Sequence, residues 1–139
     1  MILAQSGPGF CVDWFRGMPE HVEGYSTVED FVGNLGDDMR NVTVVEKKFE
    51  DAADDVPDGL RFLHLDADHS YHGTTRAFEL FSPKVVQDGF LVVHDAWWQT
   101  GFQQPSAWPG VTLFTRDLLE NPGWKHVEDC ERSAVFVKL

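Results

Sequence analysis

The strongest constraint on the fold is an order of elements. Strand-like and helix-like stretches alternate along most of the chain, and the alternation ends in two strand-like stretches with no helix between them. A short apolar run at 10–15 follows the Gly7-Pro8-Gly9 turn. Val42-Thr43-Val44-Val45 is β-branched and reads as a second strand. Leu60–Leu65 is the third and stops at Asp66. Asp88-Gly89 is a turn signal, and Phe90-Leu91-Val92-Val93 after it is apolar throughout, as expected of a strand covered on both faces.

Helical stripes lie between these runs. Val28, Phe31, Val32 and Leu35 recur at the spacing of one buried face, with Ser26 and Glu29 placed as a capping box. Thr74, Ala77, Phe78 and Phe81 give a second stripe, and Val111, Phe114 and Leu118 a third, stopped at Asn121-Pro122-Gly123. A short acidic helix is expected before the Pro57-Asp58-Gly59 turn. Trp124–Cys130 and 133–139 then read as an antiparallel hairpin. This order implies an α/β, Rossmann-like fold over one domain, 1–139: a mostly parallel sheet with helices on both faces and a final reversed strand.

Charge narrows the partners. The formal net charge is −12, which repels phosphate backbones, so no nucleic-acid partner is expected. Glu50, Asp51, Asp54, Asp55 and Asp58 read as a solvated face rather than a metal cluster. The longest apolar runs are far short of a membrane span, and the N-terminus has no basic region followed by an apolar one. Cys11 and Cys130 lie far apart without CxxC spacing and read as reduced thiols. The expectation is a cytoplasmic protein with no membrane partner.

Two of the strands end in acids. The first runs into Asp66-Ala67-Asp68-His69-Ser70-Tyr71, the second into His94-Asp95-Ala96-Trp97-Trp98. In an open α/β sheet, ligands bind beyond the carboxyl ends of the strands. If the two strands are neighbours, Asp66, Asp68, His69, His94 and Asp95 meet in one crevice. Carboxylates suit Mg²⁺, Ca²⁺ or Mn²⁺, and an added imidazole admits Zn²⁺ or Fe²⁺. Plainer roles compete: Asp66 or Asp68 as helix caps, His69 as a loop tie. His64, inside its strand, reads as a core histidine. His21, His72 and His126 have no motif around them. Trp97, Trp98 and Trp108, in a long loop at 96–110, read either as packing or as a substrate wall.

Taken together, Phe62-Leu63-His64-Leu65-Asp66-Ala67-Asp68-His69-Ser70-Tyr71, Asp88-Gly89 and Val92-Val93-His94-Asp95 resemble the class I S-adenosylmethionine (SAM) dependent methyltransferases. The branch is similar to macrolide sugar O-methyltransferases and cephalosporin-tailoring methyltransferases. Val12-Asp13-Trp14-Phe15-Arg16-Gly17 and Trp108-Pro109-Gly110-Val111 also resemble it, so the likeness runs from about residue 2 to the C-terminus. The resemblance implies SAM and a divalent cation such as Mg²⁺ as cofactors, and a small hydroxylated molecule as methyl acceptor. It puts Asp13 at the SAM ribose and Phe49 at the adenine. Asp66 and Asp95 become metal ligands and His69 the base. His94, where an acid is common in the metal enzymes, is a further metal ligand.

The sequence also departs from that pattern. Such domains begin with a strand and a Gly-x-Gly loop, whereas this one opens at Met1-Ile2-Leu3-Ala4-Gln5, similar to the tail of the helix after that loop. Lys48 stands near where an acid is expected by the adenine. SAM binding by the chain alone is therefore expected to be weak or absent. With the usual central strand missing, the strand at 10–15 is expected either to pair with Leu60–Leu65 or to meet a second chain, which would make a homo-oligomer. Two other functions stay open: a non-catalytic remnant that keeps the metal-site acids, and a metal-dependent hydrolase that uses the same acids without SAM.

Overall fold

The computed structural model describes residues 8–16, 26–98 and 106–139. The segment at 1–5 read as a helix tail, Gly7, Gly17, His21 and residues 99–105 of the 96–110 loop lie outside them. The chain forms two compact units, Met1–Val56 and Pro57–Leu139.

In the first unit β1 (Gly9–Asp13) and β2 (Val42–Glu46) pair in parallel, from Gly9 opposite Val42 to Asp13 opposite Glu46. Parallel neighbours need a crossover, and this one contains α1 (Val28–Leu35) and a 3₁₀ turn at Gly36–Asn41. The helix starts two residues after Ser26. Thr27 holds the cap position without a side-chain bond, while Ser26 Oγ accepts from Val28 N at 3.3 Å. Its apolar stripe is only partly covered: no residue of α1 is fully buried. Phe31 packs on Phe15, with ring centroids 5.3 Å apart. The expected acidic helix is two 3₁₀ turns, Phe49–Asp51 and Ala53–Asp55, that bury Ala52 and Val56 beside them.

The second unit holds a sheet in the order β3–β4–β6–β5, made of β3 (Leu60–Leu65), β4 (Val85–Val93), β5 (Trp124–Cys130) and β6 (Ser133–Lys138). β3 and β4 are parallel, and β6 runs against both β4 and β5. The reversed hairpin is therefore present, and its second strand lies between β4 and β5. Helices α2 (Tyr71–Phe81) and α3 (Pro109–Leu119) pack on each other through Phe78 and Phe114, whose centroids are 5.4 Å apart. The core beneath them joins Leu65, Leu91, Val93, Ala134 and Phe136 to Ala77, Phe81 and Val111.

Two expectations change here. Leu91 and Val93 are fully buried, but Phe90, paired with exposed Phe62 across the ladder, is 44% exposed. Strand side chains alternate, and both helices cover the Leu91 face, so the run at 90–93 is not covered on both faces. Asp88-Gly89 does not separate helix from strand either. It is a bulge inside β4: the ladder steps from Leu60 opposite Val85 to Phe62 opposite Phe90, and Asp88 takes a φ of +61°. Among the described residues, β1 has β2 as its ladder partner.

Candidate functional site

β3 and β4 are parallel neighbours in register from Phe62 opposite Phe90 to Leu65 opposite Val93. Their next residues, Asp66 and His94, therefore leave the sheet side by side, and His94 N still bonds Leu65 O at 3.0 Å. Asp95 follows with a φ of +53°, a left-handed conformation that L-residues adopt only when the surroundings impose it. The turn carries the Asp95 carboxylate inward, where its side chain is 7% exposed.

His69 comes from the connection to α2. Ser70 caps that helix, accepting from Gly73 N at 2.9 Å, so neither Asp66 nor Asp68 is the helix cap. Asp68 shapes the connection: its Oδ1 accepts from Ser70 N at 2.7 Å, and its carbonyl accepts from Thr74 Oγ1 at 2.9 Å. The His69 ring stacks on Trp108 at 4.5 Å. Gly110 makes that approach feasible, because a Cβ there would overlap Tyr71 N and lie 2.7 Å from His69 O.

Asp66, His69 and Asp95 each offer a ligand atom within 4.8 Å of the others. His69 Nε2 lies 3.4 Å from Asp66 Oδ1 and 3.6 Å from Asp95 Oδ2. His94 Nδ1 lies 3.2 Å and 3.7 Å from the same two oxygens. Both ring nitrogens are buried and neither makes a hydrogen bond. Leaving such groups unsatisfied costs about 1–3 kcal/mol each, and a cation held by Asp66, His69 and Asp95 would give the His69 nitrogen a partner, whereas His94 lies outside that mutually close group. The donor types of that group, two oxygens and one nitrogen, suit a divalent metal.

Other expectations resolve separately. His64 is exposed, not a core residue, and its ring lies 5.7 Å from His94. Partial burial lowers its pKa, more than nearby Asp66 raises it, and His94 adds to the lowering. Trp97 is packing: it is fully buried and donates Nε1–H to Asp129 Oδ1 at 2.7 Å. Trp98 is 60% exposed.

Asp13 and Phe49 belong to the first unit. Asp13 is exposed at the carboxyl end of β1, with one oxygen accepting from Phe15 N at 2.6 Å. Phe49 is half-buried in the 3₁₀ turn soon after β2. Asp13 is the last residue of β1, and Phe49 lies past the carboxyl end of β2. Lys48 Nζ and the Arg16 guanidinium lie over the Trp14 ring at 5.5 Å and 5.3 Å.

The sequence reading missed Arg132. Its Nη2 lies 2.8 Å from Asp95 Oδ1, close enough for an ion pair though not aligned as a hydrogen bond. It also missed Thr112, fully buried in α3, whose Oγ1 donates to Ala96 O at 2.8 Å and ties the helix to the turn after Asp95.

The profile of a methyltransferase domain family matches residues 3–96. No curated protein matches the chain in sequence. Among solved structures, a Staphylococcus aureus protein assigned as a caffeoyl-CoA O-methyltransferase superposes with a TM-score of 0.62 at 15% identity, over 80% of this chain and 57% of that one. A Corynebacterium glutamicum protein gives 0.66 at 14% identity, over 98% of this chain and 62% of that one. A Clostridium thermocellum protein assigned as an rRNA methylase gives 0.57 at 12% identity, over 99% and 78%. The chain thus spans under two thirds of the length of the first two, and at these identities the likeness is one of fold. With the family profile covering well over half of the sequence, the chain belongs to the methyltransferase domain family, of the class I, SAM-dependent kind.

Proposed function

We propose that this chain carries the acceptor side of a SAM-dependent, divalent-metal-assisted O-methyltransferase acting on a small hydroxylated molecule such as a sugar or secondary metabolite. The observation that carries the reading is the convergence of Asp66, His69, His94 and Asp95 past the ends of two adjacent parallel strands. SAM, when bound, supplies a methyl group on a sulfonium centre, and a divalent cation acidifies a hydroxyl bound to it.

The remaining chemistry belongs to the protein. Asp66 and Asp95 hold the cation, with His94 at their border. His69 takes the proton of the acceptor hydroxyl at Nε2, and the Trp108 ring keeps the imidazole facing the carboxylates. Asp13 accepts from ribose hydroxyls and Phe49 lies along the adenine. The net charge of −12 disfavours an RNA acceptor. Among the described residues no helix is long and apolar enough to cross a membrane.

The test is calorimetric titration of SAM into the chain, with methyl transfer to a panel of hydroxylated acceptors measured with and without divalent metal. The chain alone is expected to bind SAM weakly or not at all. Each ribose or adenine contact contributes only about 0.5–1.5 kcal/mol, and Gly7-Pro8-Gly9 leads into a strand-like run rather than standing between a strand and a helix. Methyl transfer, where SAM is bound, is expected to depend on the divalent metal. Metal-independent transfer unaffected by His69→Ala would defeat the assignment.

A further inference from the structure

We propose that the β5–β6 hairpin sets the orientation of the Asp95 carboxylate, with Asp129 as a positioning residue that acts on the candidate site through the indole of Trp97. The inference rests on the site of the function proposed above and adds to it a residue outside its lining.

The turn after β4 needs an outside restraint. Asp95 keeps a φ of +53°, and such a backbone persists only where its surroundings over-determine it. On the N-terminal side of Asp95, His94 N is bonded to Leu65 O at 3.0 Å. On its C-terminal side the restraint comes from the hairpin. Trp97 N donates to Arg132 O at 3.0 Å, and Trp97 Nε1 donates to Asp129 Oδ1 at 2.7 Å. The indole is fully buried, so it cannot exchange that acceptor for water. Asp95 is therefore held between two fixed points, one on β3 and one on the hairpin. Its two carboxylate oxygens then meet different partners: Oδ1 stands 2.8 Å from Arg132 Nη2, and Oδ2 stands 3.6 Å from His69 Nε2.

Asp129 is itself held. In a regular strand, residues three apart point to opposite faces. The β5–β6 ladder skips Val127, stepping from His126 opposite Phe136 to Glu128 opposite Val135. This bulge turns His126 and Asp129 to the same side, and His126 Nε2 lies 2.9 Å from Asp129 Oδ1. The His126 ring is in turn set edge-on against Phe136, with centroids 5.3 Å apart. The acceptor oxygen is thus fixed by its own strand, which is what a positioning contact requires.

Arg132 does not isolate the effect. Its charge repels a cation at the site while its place at Oδ1 steadies Asp95, so the two consequences of replacing it oppose each other. Asp129 separates them. Asparagine there keeps an acceptor oxygen and discards the charge, whereas leucine discards both.

The experiment has two readouts: the Asp95 carboxyl carbon resonance in the metal-free chain, and calorimetric titration with Mn²⁺ alone. Both are taken on the wild type, Asp129→Leu, Asp129→Asn and Glu128→Gln. Asp129→Leu is expected to move the Asp95 resonance and to weaken Mn²⁺ about tenfold or more. Asp129→Asn should leave the resonance in place and keep Mn²⁺ affinity within about threefold of the wild type, because a single charge outside the lining is largely screened. Glu128→Gln, which removes an exposed charge from the same strand, should change neither. Circular dichroism verifies that each variant is folded. Where Asp129→Leu does not fold, Trp97→Phe, which removes the donor and keeps an aromatic ring, takes its place with the same expectations. A folded Asp129→Leu with the wild-type resonance and Mn²⁺ affinity would overturn the proposal and leave a metal-assisted transferase intact. Equal weakening in Asp129→Asn and Asp129→Leu would also overturn it, by showing that charge and not position matters. Should the wild type not bind Mn²⁺, the metal part of the proposed function fails and the resonance alone decides the positioning. A shift in Asp129→Leu without one in Asp129→Asn then supports it, and any other pattern overturns it.

Discussion

Arg132 Nη2 lies 2.8 Å from Oδ1 of Asp95, although the two residues are far apart in the second unit's sequence. The Asp95 side chain is 7% exposed and that of Arg132 51%. Removing the arginine leaves a buried carboxylate without its fixed cation. For a fully buried pair such a loss costs about 3–5 kcal/mol, and the half-exposed guanidinium brings the expectation for Arg132→Met down to about 1–3 kcal/mol. Asp95→Asn in the same background should recover part of it, because the stranded charge is gone. Urea denaturation of the two single variants and the double variant measures the coupling. Additive losses would show that the pair does not interact.

Gly110 is expected to be intolerant and Gly33 tolerant. A Cβ at Gly110 would overlap Tyr71 N and press on His69 O, whereas one at Gly33, inside α1, meets nothing within 4 Å. Gly110→Ala must push the first turn of α3 away from 69–71 and loosen the His69–Trp108 stack, at about 1–3 kcal/mol. Gly33→Ala should stabilise by about 0.5–1 kcal/mol, the helix propensity gain. Thermal melts of both variants, with tryptophan fluorescence for the first, decide the matter. Equal and small effects would mean that α3 does not approach the His69 loop this closely.

These residues also mark how far the sequence could be read. Asp66 and Asp95 were legible because Asp66 follows Leu65 and Asp95 comes one residue after the apolar run that ends at Val93, and the direction of a strand tells where it delivers its end. His69 was legible through its neighbours in the motif. Arg132 was not, because its position depends on β6 lying between β4 and β5. Once Ala134 pairs with Val93, the residue preceding β6 must fall beside Asp95, but nothing local announces that pairing. The bulge at Asp88-Gly89 was misread because a bulge and a chain reversal ask for the same residues. Trp97, Trp98 and Trp108 carry identical side chains and meet three fates, buried, exposed and stacked on His69, set by tertiary contacts alone.

The two cysteines should react at different rates. Cys130 is exposed at the end of β5, whereas Cys11 is half-covered inside β1. Burial pushes the Cys11 thiol above its ordinary pKa, and the Asp13 charge adds to the rise. The thiolate is the reactive form, so alkylation near neutral pH should mark Cys130 first. Asp13→Asn should speed Cys11 only modestly, since burial is the larger cause. Peptide mass spectrometry over a time course gives both rates. Faster labelling of Cys11 would contradict the placement of β1.

Tyr71 gives a pH dependence of definite sign. Its hydroxyl donates to Asp117 Oδ2 at 2.7 Å, joining the first turn of α2 to α3. That hydrogen bond, with the carboxylate charge behind it, raises the phenol pKa. The unfolded chain ionises its tyrosines near about pH 10. A pKa raised on folding contributes stability that is fully present below the unfolded value and is lost as pH rises through the folded one. The stability difference between the wild-type chain and Tyr71→Phe should therefore stay level from neutral pH to about 10 and shrink above it. The chain has two tyrosines, so the difference between the ultraviolet titrations of the wild type and Tyr71→Phe isolates this residue. Its midpoint is expected above the free-tyrosine value, and Asp117→Asn should bring it down. A midpoint at or below the free value would show that the α2–α3 bond is not made in solution.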